Sequence, residues 1–290
     1  MVLIFQSMWV AVRGFGRYLL LLPLVMIQIW IFTTLASMVF PFAAGIIGGS
    51  AFFLYFMFAM RNAYATLGED GPIALRPLIW AGLAFSFFEG IVVFLLVWLG
   101  VMGIFFADGL TVGEIAHVLK DEGSSYQVGP IAMLVLIAGL FLGIGFLHAA
   151  MMVPMAAVAW SASTNKPDMD FFYGFGASLF PLTLIFLISL GLQIYFMTWF
   201  WPLMFFIWWI FTAIGLMIGK PPEAPDVDWL MLALSVGANL LLYYWKASAA
   251  AVAFLKRRER QAAEIKAERA VQVVDARSLR KARDGARAEP

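Results

Sequence analysis

Two ionisable residues stand inside long apolar segments of this 290-residue chain. Glu89 lies near the middle of residues 78–107, and His148 lies near the middle of the next apolar segment, residues 131–160. An ionised carboxylate alone inside a bilayer is costly, so Glu89 must be neutral, paired or hydrated. A carboxyl group and an imidazole in contact can share a proton, which makes these two residues the first candidates for chemistry.

The composition places both residues in lipid. Hydrophobic residues make up 63% of the chain and charged residues 13%, whereas soluble domains have about half and about a quarter. A helical crossing needs about 20 apolar residues, and the chain contains at least six such segments. The absence of cysteine excludes disulfides, thiolate metal sites and iron–sulfur clusters. The sequence therefore predicts an all-α fold, a polytopic transmembrane helical bundle.

Three regions are predicted along the chain: an interfacial amphipathic segment at 1–17, a transmembrane helical domain at 18–255 and a basic cytoplasmic helical tail at 256–290. The early apolar run has no cleavage pattern behind it, so we interpret it as the first span and not as a signal peptide. The predicted spans are 18–40, a second ending near residue 60, 78–107, 131–160, one beginning near residue 171, and 229–255. Between the last two, the Trp-rich segment 198–218 is predicted to be re-entrant or interfacial.

Charge asymmetry favours six spans over the alternative of seven, because short cytoplasmic loops are rich in Lys and Arg. The tail carries eleven of the nineteen basic residues against six acids. Arg13, Arg17, Arg61 and Arg76 place the N-terminus and the second loop on the same side, whereas the loops at 107–130 and 219–228 are acidic. Seven spans would export the tail. We therefore expect a bacterial-type inner (cytoplasmic) membrane protein, multi-pass, with both termini cytoplasmic.

The topology sets the depth of the candidate pair. Glu89 follows the start of its span by eleven residues, and His148 precedes the end of the next by twelve. At 1.5 Å per residue both lie about 16–18 Å deep, so adjacent antiparallel helices can bring them together. Three interpretations are open: a structural hydrogen bond, a proton or cation path, or no contact.

His148 has an alternative role as an axial ligand. Gly143 and Gly145 leave room beside the imidazole for the macrocycle of a haem or a chlorophyll-type pigment. The only other histidine, His117, lies in the acidic loop, which disfavours a bis-histidine haem. No other cofactor and no metal site are predicted.

Four further polar residues interrupt the apolar segments. Gln28, Gln193 and Asn239 are predicted to make hydrogen bonds between helices. Lys246, nine residues before the end of the last span, is predicted to extend toward the lipid phosphates.

The start of the tail is a candidate contact surface, formed by Lys256, Arg257, Arg258 and Arg260. These residues are predicted to face anionic lipid or a protein. Acidic residues are interspersed at Glu259, Glu264 and Glu268, so a nucleic-acid partner is not expected.

No catalytic motif is present: there is no glycine-rich phosphate loop and no HExxH. We therefore expect a non-enzymatic subunit or scaffold of a larger membrane assembly of the secretion, conjugation or energy-converting type. Its partners would be the bilayer and other membrane proteins. The alternative hypothesis is a small-solute or proton-coupled transporter that uses Glu89 and His148.

Overall fold

The computed structural model describes residues 2–69, 71, 75–107, 109, 114, 130–161, 172–196, 212 and 227–287. Within these residues the fold is helical, with no strand. The helices are α1 (Val2–Val39), α2 (Ala44–Thr66), α3 (Leu75–Ala107), α4 (Pro130–Ser161), α5 (Leu179–Phe196) and α6 (Val227–Arg287), and a 3₁₀ turn at Pro41–Ala43 separates α1 from α2.

Five described helices are long and apolar enough to cross a membrane, namely α1 to α5. This confirms a helical bundle with several candidate spans. The part of α6 predicted as the last span is helical but is not among the five. Asn239 and Lys246 make it less apolar, and they are tolerated there because α1, α2 and α4 pack around this helix in place of lipid.

Two predicted boundaries differ from the observed ones. Helix α1 continues without a break through Tyr18, where a new element was expected to begin. Helix α2 continues to Thr66, so Arg61 is a buried helical residue and not the start of an aqueous loop. The Arg61 side chain stays at this depth because its Nη2 donates to the Gly71 carbonyl oxygen at 2.6 Å.

The start of α5 also differs from its predicted position near residue 171. A turn at residues 172–178 comes first, with positive φ at Gly174, Gly176 and Ser178. The Gly176 amide donates to the Ala150 carbonyl oxygen at 3.3 Å, which attaches the turn to α4. These left-handed residues delay helix formation until Leu179.

Helices α1, α2 and α3, which follow one another in the chain, are antiparallel to their neighbours in sequence. Tyr55 Oη donates to the Met26 carbonyl oxygen at 3.3 Å, while Asn62 Nδ2, further along α2, donates to the Gly14 carbonyl oxygen at 3.1 Å. Ser86 Oγ of α3 donates to the Ile46 carbonyl oxygen at 2.9 Å. The order of these contacts makes α1, α2 and α3 a sequence of hairpins.

Buried side chains concentrate at one end of the bundle, which we call the closed end. It comprises residues 7–22 of α1, 53–64 of α2, 78–86 of α3, 147–159 of α4, 182–189 of α5 and 242–254 of α6. We call the opposite end the open end; it comprises residues 24–39 of α1, 91–106 of α3 and 133–146 of α4, where most large apolar side chains are exposed.

Several predicted features lie outside the described residues. These are the acidic loop at 107–130 apart from residues 107, 109, 114 and 130, the Trp-rich segment 198–218 apart from residue 212, and the loop at 219–226.

Candidate functional site

Glu89 and His148 are in contact. Glu89 Oε1 lies 3.1 Å from His148 Nε2, and the two side chains are 22% and 13% exposed. Helices α3 and α4 run antiparallel here, since Gly100 packs against Leu136 further along the same pair of helices. The two residues thus meet, as adjacent antiparallel helices allow, while their depth in a membrane and their role stay predictions.

The second ring nitrogen of His148 defines how protons are arranged in this pair. His148 Nδ1 lies 3.1 Å from the Ile144 carbonyl oxygen. A carbonyl oxygen only accepts hydrogen bonds, so Nδ1 carries a proton. In a neutral imidazole Nε2 is then an acceptor, and Glu89 must donate as a carboxylic acid; otherwise the pair is carboxylate and imidazolium. Both forms have zero net charge and differ by the shift of one proton along the 3.1 Å contact.

Aromatic rings hold the imidazole in place. Phe186 of α5 stacks on it with ring centroids 5.5 Å apart, and Phe53 of α2 stacks at 6.4 Å. Phe52 meets the ring edge-on at 5.9 Å. Side chains from α2 and α5 therefore fix the orientation in which His148 meets Glu89.

The same packing bears on the pigment hypothesis. Leu96 lies against Gly143, and Phe186 lies against Gly145, so the predicted space beside His148 is filled. Both nitrogens of the His148 ring also have partners. The residues present do not fit a macrocycle ligated by His148, and we do not carry a pigment into the proposed function.

Lys246 is the third ionisable residue of the site. It is 8% exposed, so the predicted extension toward lipid phosphates is wrong. Its Nζ lies 5.1 Å from the centroid of the Phe186 ring and 5.8 Å from that of Tyr243. Among the described residues no carboxylate lies within 4.0 Å of this ammonium group. Cation–π contacts thus replace the ion pair that a buried lysine usually has.

Phe186 connects the two parts of the site, because its ring contacts both His148 and Lys246. Lys246 is also close enough to His148 for an electrostatic interaction. These four residues contact one another in the order Glu89, His148, Phe186 and Lys246, and we call them the polar row. It takes one residue from each of α3, α4, α5 and α6.

The other intramembrane candidates divide into two groups. Gln193 and Asn239 line one cavity of about 490 Å³ between α1, α2, α5 and α6. Asn239 Nδ2 donates within its own helix, to the Ser235 carbonyl oxygen at 2.9 Å, and not between helices. Gln28 is exposed on α1 and does not line this cavity.

The basic residues at the start of the tail face different surroundings. Lys256, Arg257 and Arg260 line a second cavity of about 600 Å³ beside the start of α5. Arg258 instead stacks its guanidinium over Trp160, 4.0 Å from the ring centroid. The predicted basic surface is therefore divided between two faces of α6.

Sequence reasoning missed Lys246 and Phe186 as members of the site. A signal for Lys246 is present in the small residues that follow it, Ala247–Ala251, which are buried here. Small residues allow helices to approach closely, which indicates a helix enclosed by protein. Phe186 has no comparable signal among the chain's 28 phenylalanines.

No cluster of three or more His, Cys, Asp or Glu side chains suited to a metal ion occurs in the described residues. The site therefore consists of one neutral proton-sharing pair and one buried ammonium group. The chain matches no protein-family model, no curated protein and no solved structure.

Proposed function

We propose that this chain is a non-enzymatic subunit or scaffold of a larger assembly in a bacterial-type inner membrane. The observation that carries the proposal is the length of α6. Its buried stretch ends at Phe254, yet the helix continues to Arg287. These 33 further residues extend about 50 Å at 1.5 Å each. A helix that continues this far past the buried stretch offers a contact surface for another protein.

The topology supports the same proposal. Six spans, with the Trp-rich segment re-entrant or interfacial, leave both termini in the cytoplasm. Trp245 Nε1 of α6 donates to Ser7 Oγ of α1 at 3.0 Å, so the first turns of α1 lie beside the helix that leads into the tail. Arg13, Arg17 and the tail are then at one end of the bundle, as the charge rule requires for the cytoplasmic side.

The open end supplies a second surface for partners. Side chains such as Phe94, Trp98 and Leu134 are more than half exposed. Lipid covers such side chains in a bilayer, and the helices of a neighbouring subunit cover them equally well. The proposal places lateral contacts in the membrane and tail contacts in the cytoplasm.

Purification from native membranes tests the subunit proposal. The full chain, solubilised in mild detergent, should elute as an assembly with stoichiometric partners identified by mass spectrometry. A chain shortened after Gln261 should lose the partners that bind the tail and keep those that bind in the membrane. Elution of the full chain as a lone monomer would contradict the proposal.

A second candidate function, proton-coupled transport of a small solute, is favoured by the polar row. A carboxyl–imidazole pair that stays neutral while its proton shifts can hold a proton inside the membrane without a net charge. Lys246 adds a cation beside it that no described carboxylate neutralises.

Proteoliposomes loaded with a pH-sensitive dye test this candidate. Wild type should dissipate an imposed proton gradient, and Glu89→Gln should abolish this flux because glutamine cannot carry the proton. Glu259→Gln removes an exposed carboxylate of the tail and is the matched control, expected to behave as wild type. A wild type without flux, across a panel of small solutes, removes transport from consideration.

A further inference from the structure

The cavity of about 600 Å³ beside the start of α5 combines features of an anion site. One wall is α6, which contributes Lys256, Arg257 and Arg260 together with one acid, Glu264. Three cations against one carboxylate leave the wall positive. Ser178 lies on the opposite wall, immediately before the first turn of α5.

The opposite wall is held in a fixed position. Tyr173 Oη donates to Gln261 Oε1, and the Arg257 guanidinium lies 5.8 Å from the centroid of the Tyr173 ring. Gly174 has φ +67°, and a Cβ there would lie 3.1 Å from Arg257 Cδ, so the glycine lets the arginine pass close to the turn. The start of α5 and the basic side chains therefore face the same space.

Two features of the cavity, one on each wall, attract an anion independently. The helix dipole adds partial positive charge at the start of α5, beside Ser178. Arg257 Nε is buried and makes no hydrogen bond with the described residues. A phosphate oxygen is the group that satisfies such donors best.

Apart from Gln261, the rest of the lining is apolar and comes from Val2, Leu3, Ala177, Pro181 and Ala253. Phe180, beside the cavity on α5, is 80% exposed. The cavity thus lies where buried apolar residues of α6 give way to charged ones. In a bilayer, this is the level at which lipid headgroups meet acyl chains.

We infer that this cavity binds the headgroup phosphate of an anionic phospholipid. The basic side chains of α6 and the start of α5 hold the phosphate, and the acyl chains lie along the exposed apolar surface of α5. A free phosphate ion would use the same donors but would gain nothing from the apolar lining.

Native mass spectrometry of the full chain in detergent tests the inference, with dioleoyl-phosphatidylglycerol as the probe. Arg260 is exposed and its loss should not disturb folding, so Arg260→Gln is the main variant. It should weaken lipid binding about fivefold, the effect of one well-placed basic residue. Arg257→Gln should weaken binding by at least as much.

Arg258→Gln is the matched control, because it removes the same charge from a side chain that stacks on Trp160 and does not line the cavity. Its affinity should stay within about twofold of wild type, since screening by salt weakens exposed charges outside the cavity. Equal losses for Arg258→Gln and Arg260→Gln would overturn the inference, because they would mean that only overall charge matters.

Two further arms identify the source of the phosphate. Dioleoyl-phosphatidylcholine should bind more weakly than the anionic lipid, and inorganic phosphate at millimolar concentration should not displace the lipid. Equal binding of the zwitterionic lipid, or displacement by inorganic phosphate, would overturn the assignment to an anionic phospholipid. The subunit proposal does not depend on any of these outcomes.

Discussion

The closed and open ends of the bundle use the same kinds of apolar residue in opposite ways. At the closed end, side chains of six helices bury one another, and Tyr18 and Tyr244 stack with their ring centroids 4.7 Å apart. At the open end, comparable side chains such as Phe94 and Leu134 are exposed. The closed end also contains the more polar residues, among them Arg61, Asn62 and Lys246, whereas the three segments of the open end contain no charged residue.

The difference shows where polar side chains occur in this bundle. Asn62 Nδ2 donates to Tyr244 Oη at 2.8 Å within the closed end, and Lys246 is also buried there. The pair of Glu89 and His148 lies where the closed end passes into the open end. Polar groups are tolerated where protein and not lipid surrounds them, so packing at the closed end determines which polar residues can take part in function.

The largest effect is expected from a glycine of the closed end. A Cβ at Gly14 would collide with the side-chain oxygens of Tyr244 and Thr66, so Gly14→Ala should lower the free energy of unfolding by about 2 kcal/mol. Gly139, at the open end, has no atom within 4 Å of an added Cβ. Gly139→Ala should therefore leave stability unchanged or raise it slightly.

Unfolding in mixed micelles with an increasing fraction of SDS, followed by circular dichroism, measures both variants. If Gly14→Ala and Gly139→Ala behave alike, the closed end is not the tightly packed region and the comparison is wrong.

The next largest effect should come from the buried ammonium group. Lys246→Met keeps the length of the side chain and removes its charge. Lys246 is 8% exposed, and its ammonium group has no carboxylate partner among the described residues. Stability should rise by about 1–2 kcal/mol. Under the transport proposal, proton flux should fall in the same variant, because it removes the cation beside the pair of Glu89 and His148.

Lys256→Met supplies the comparison for Lys246→Met. It removes a half-buried lysine at the start of the tail, and its stability should stay within about 0.5 kcal/mol of wild type in the same assay. A Lys246→Met variant that is less stable than wild type would show that the ammonium group has a strong partner in the membrane.

A smaller contrast involves two amides. Asn62→Leu removes hydrogen bonds to Tyr244 Oη and to the Gly14 carbonyl oxygen, and should cost about 1 kcal/mol. Gln28→Leu, on the exposed face of α1, should be neutral or stabilising because leucine suits lipid better than an amide does. The same micelle assay compares them, and a larger loss for Gln28→Leu would mean that a partner covers that face of α1.

Much of the fold could be predicted from the sequence, because the lengths of apolar runs are a direct consequence of bilayer thickness. Helices α3 and α4 were placed within three residues of their observed bounds, and the depth match of Glu89 and His148 followed from those bounds. Helix ends defined by charge were less accurate. Arg61 is a charged residue that remains inside a helix, where its Nη2 donates to the Gly71 carbonyl oxygen.

Which helix lies inside was not predicted, although α2, the least apolar of the five candidate spans, also has the largest buried share. Tyr244, Trp245 and Ala247 of α6 are almost completely buried as well. Lateral packing depends on the shapes of side chains from all helices at once, which a single sequence does not reveal. For this reason Lys246 was assigned to the lipid surface, and its contact with Phe186 was missed.

The smallest expected effect is the coupling between Glu89 and His148, at the boundary between the two ends. A double-mutant cycle with Glu89→Leu and His148→Leu, measured by unfolding in mixed micelles, should give a coupling free energy of about 0.6 kcal/mol, typical of hydrogen bonds inside membrane proteins. A second cycle with Glu89→Leu and Lys246→Met should give almost none, because Lys246 contacts the ring of Phe186 and not the carboxyl group.

A coupling above about 2 kcal/mol in the first cycle would indicate a strong ion pair, and the structural role would then outweigh proton exchange. Equal coupling free energies in the two cycles would show that Glu89, His148 and Lys246 form one network. Glu89 would then belong to the closed end.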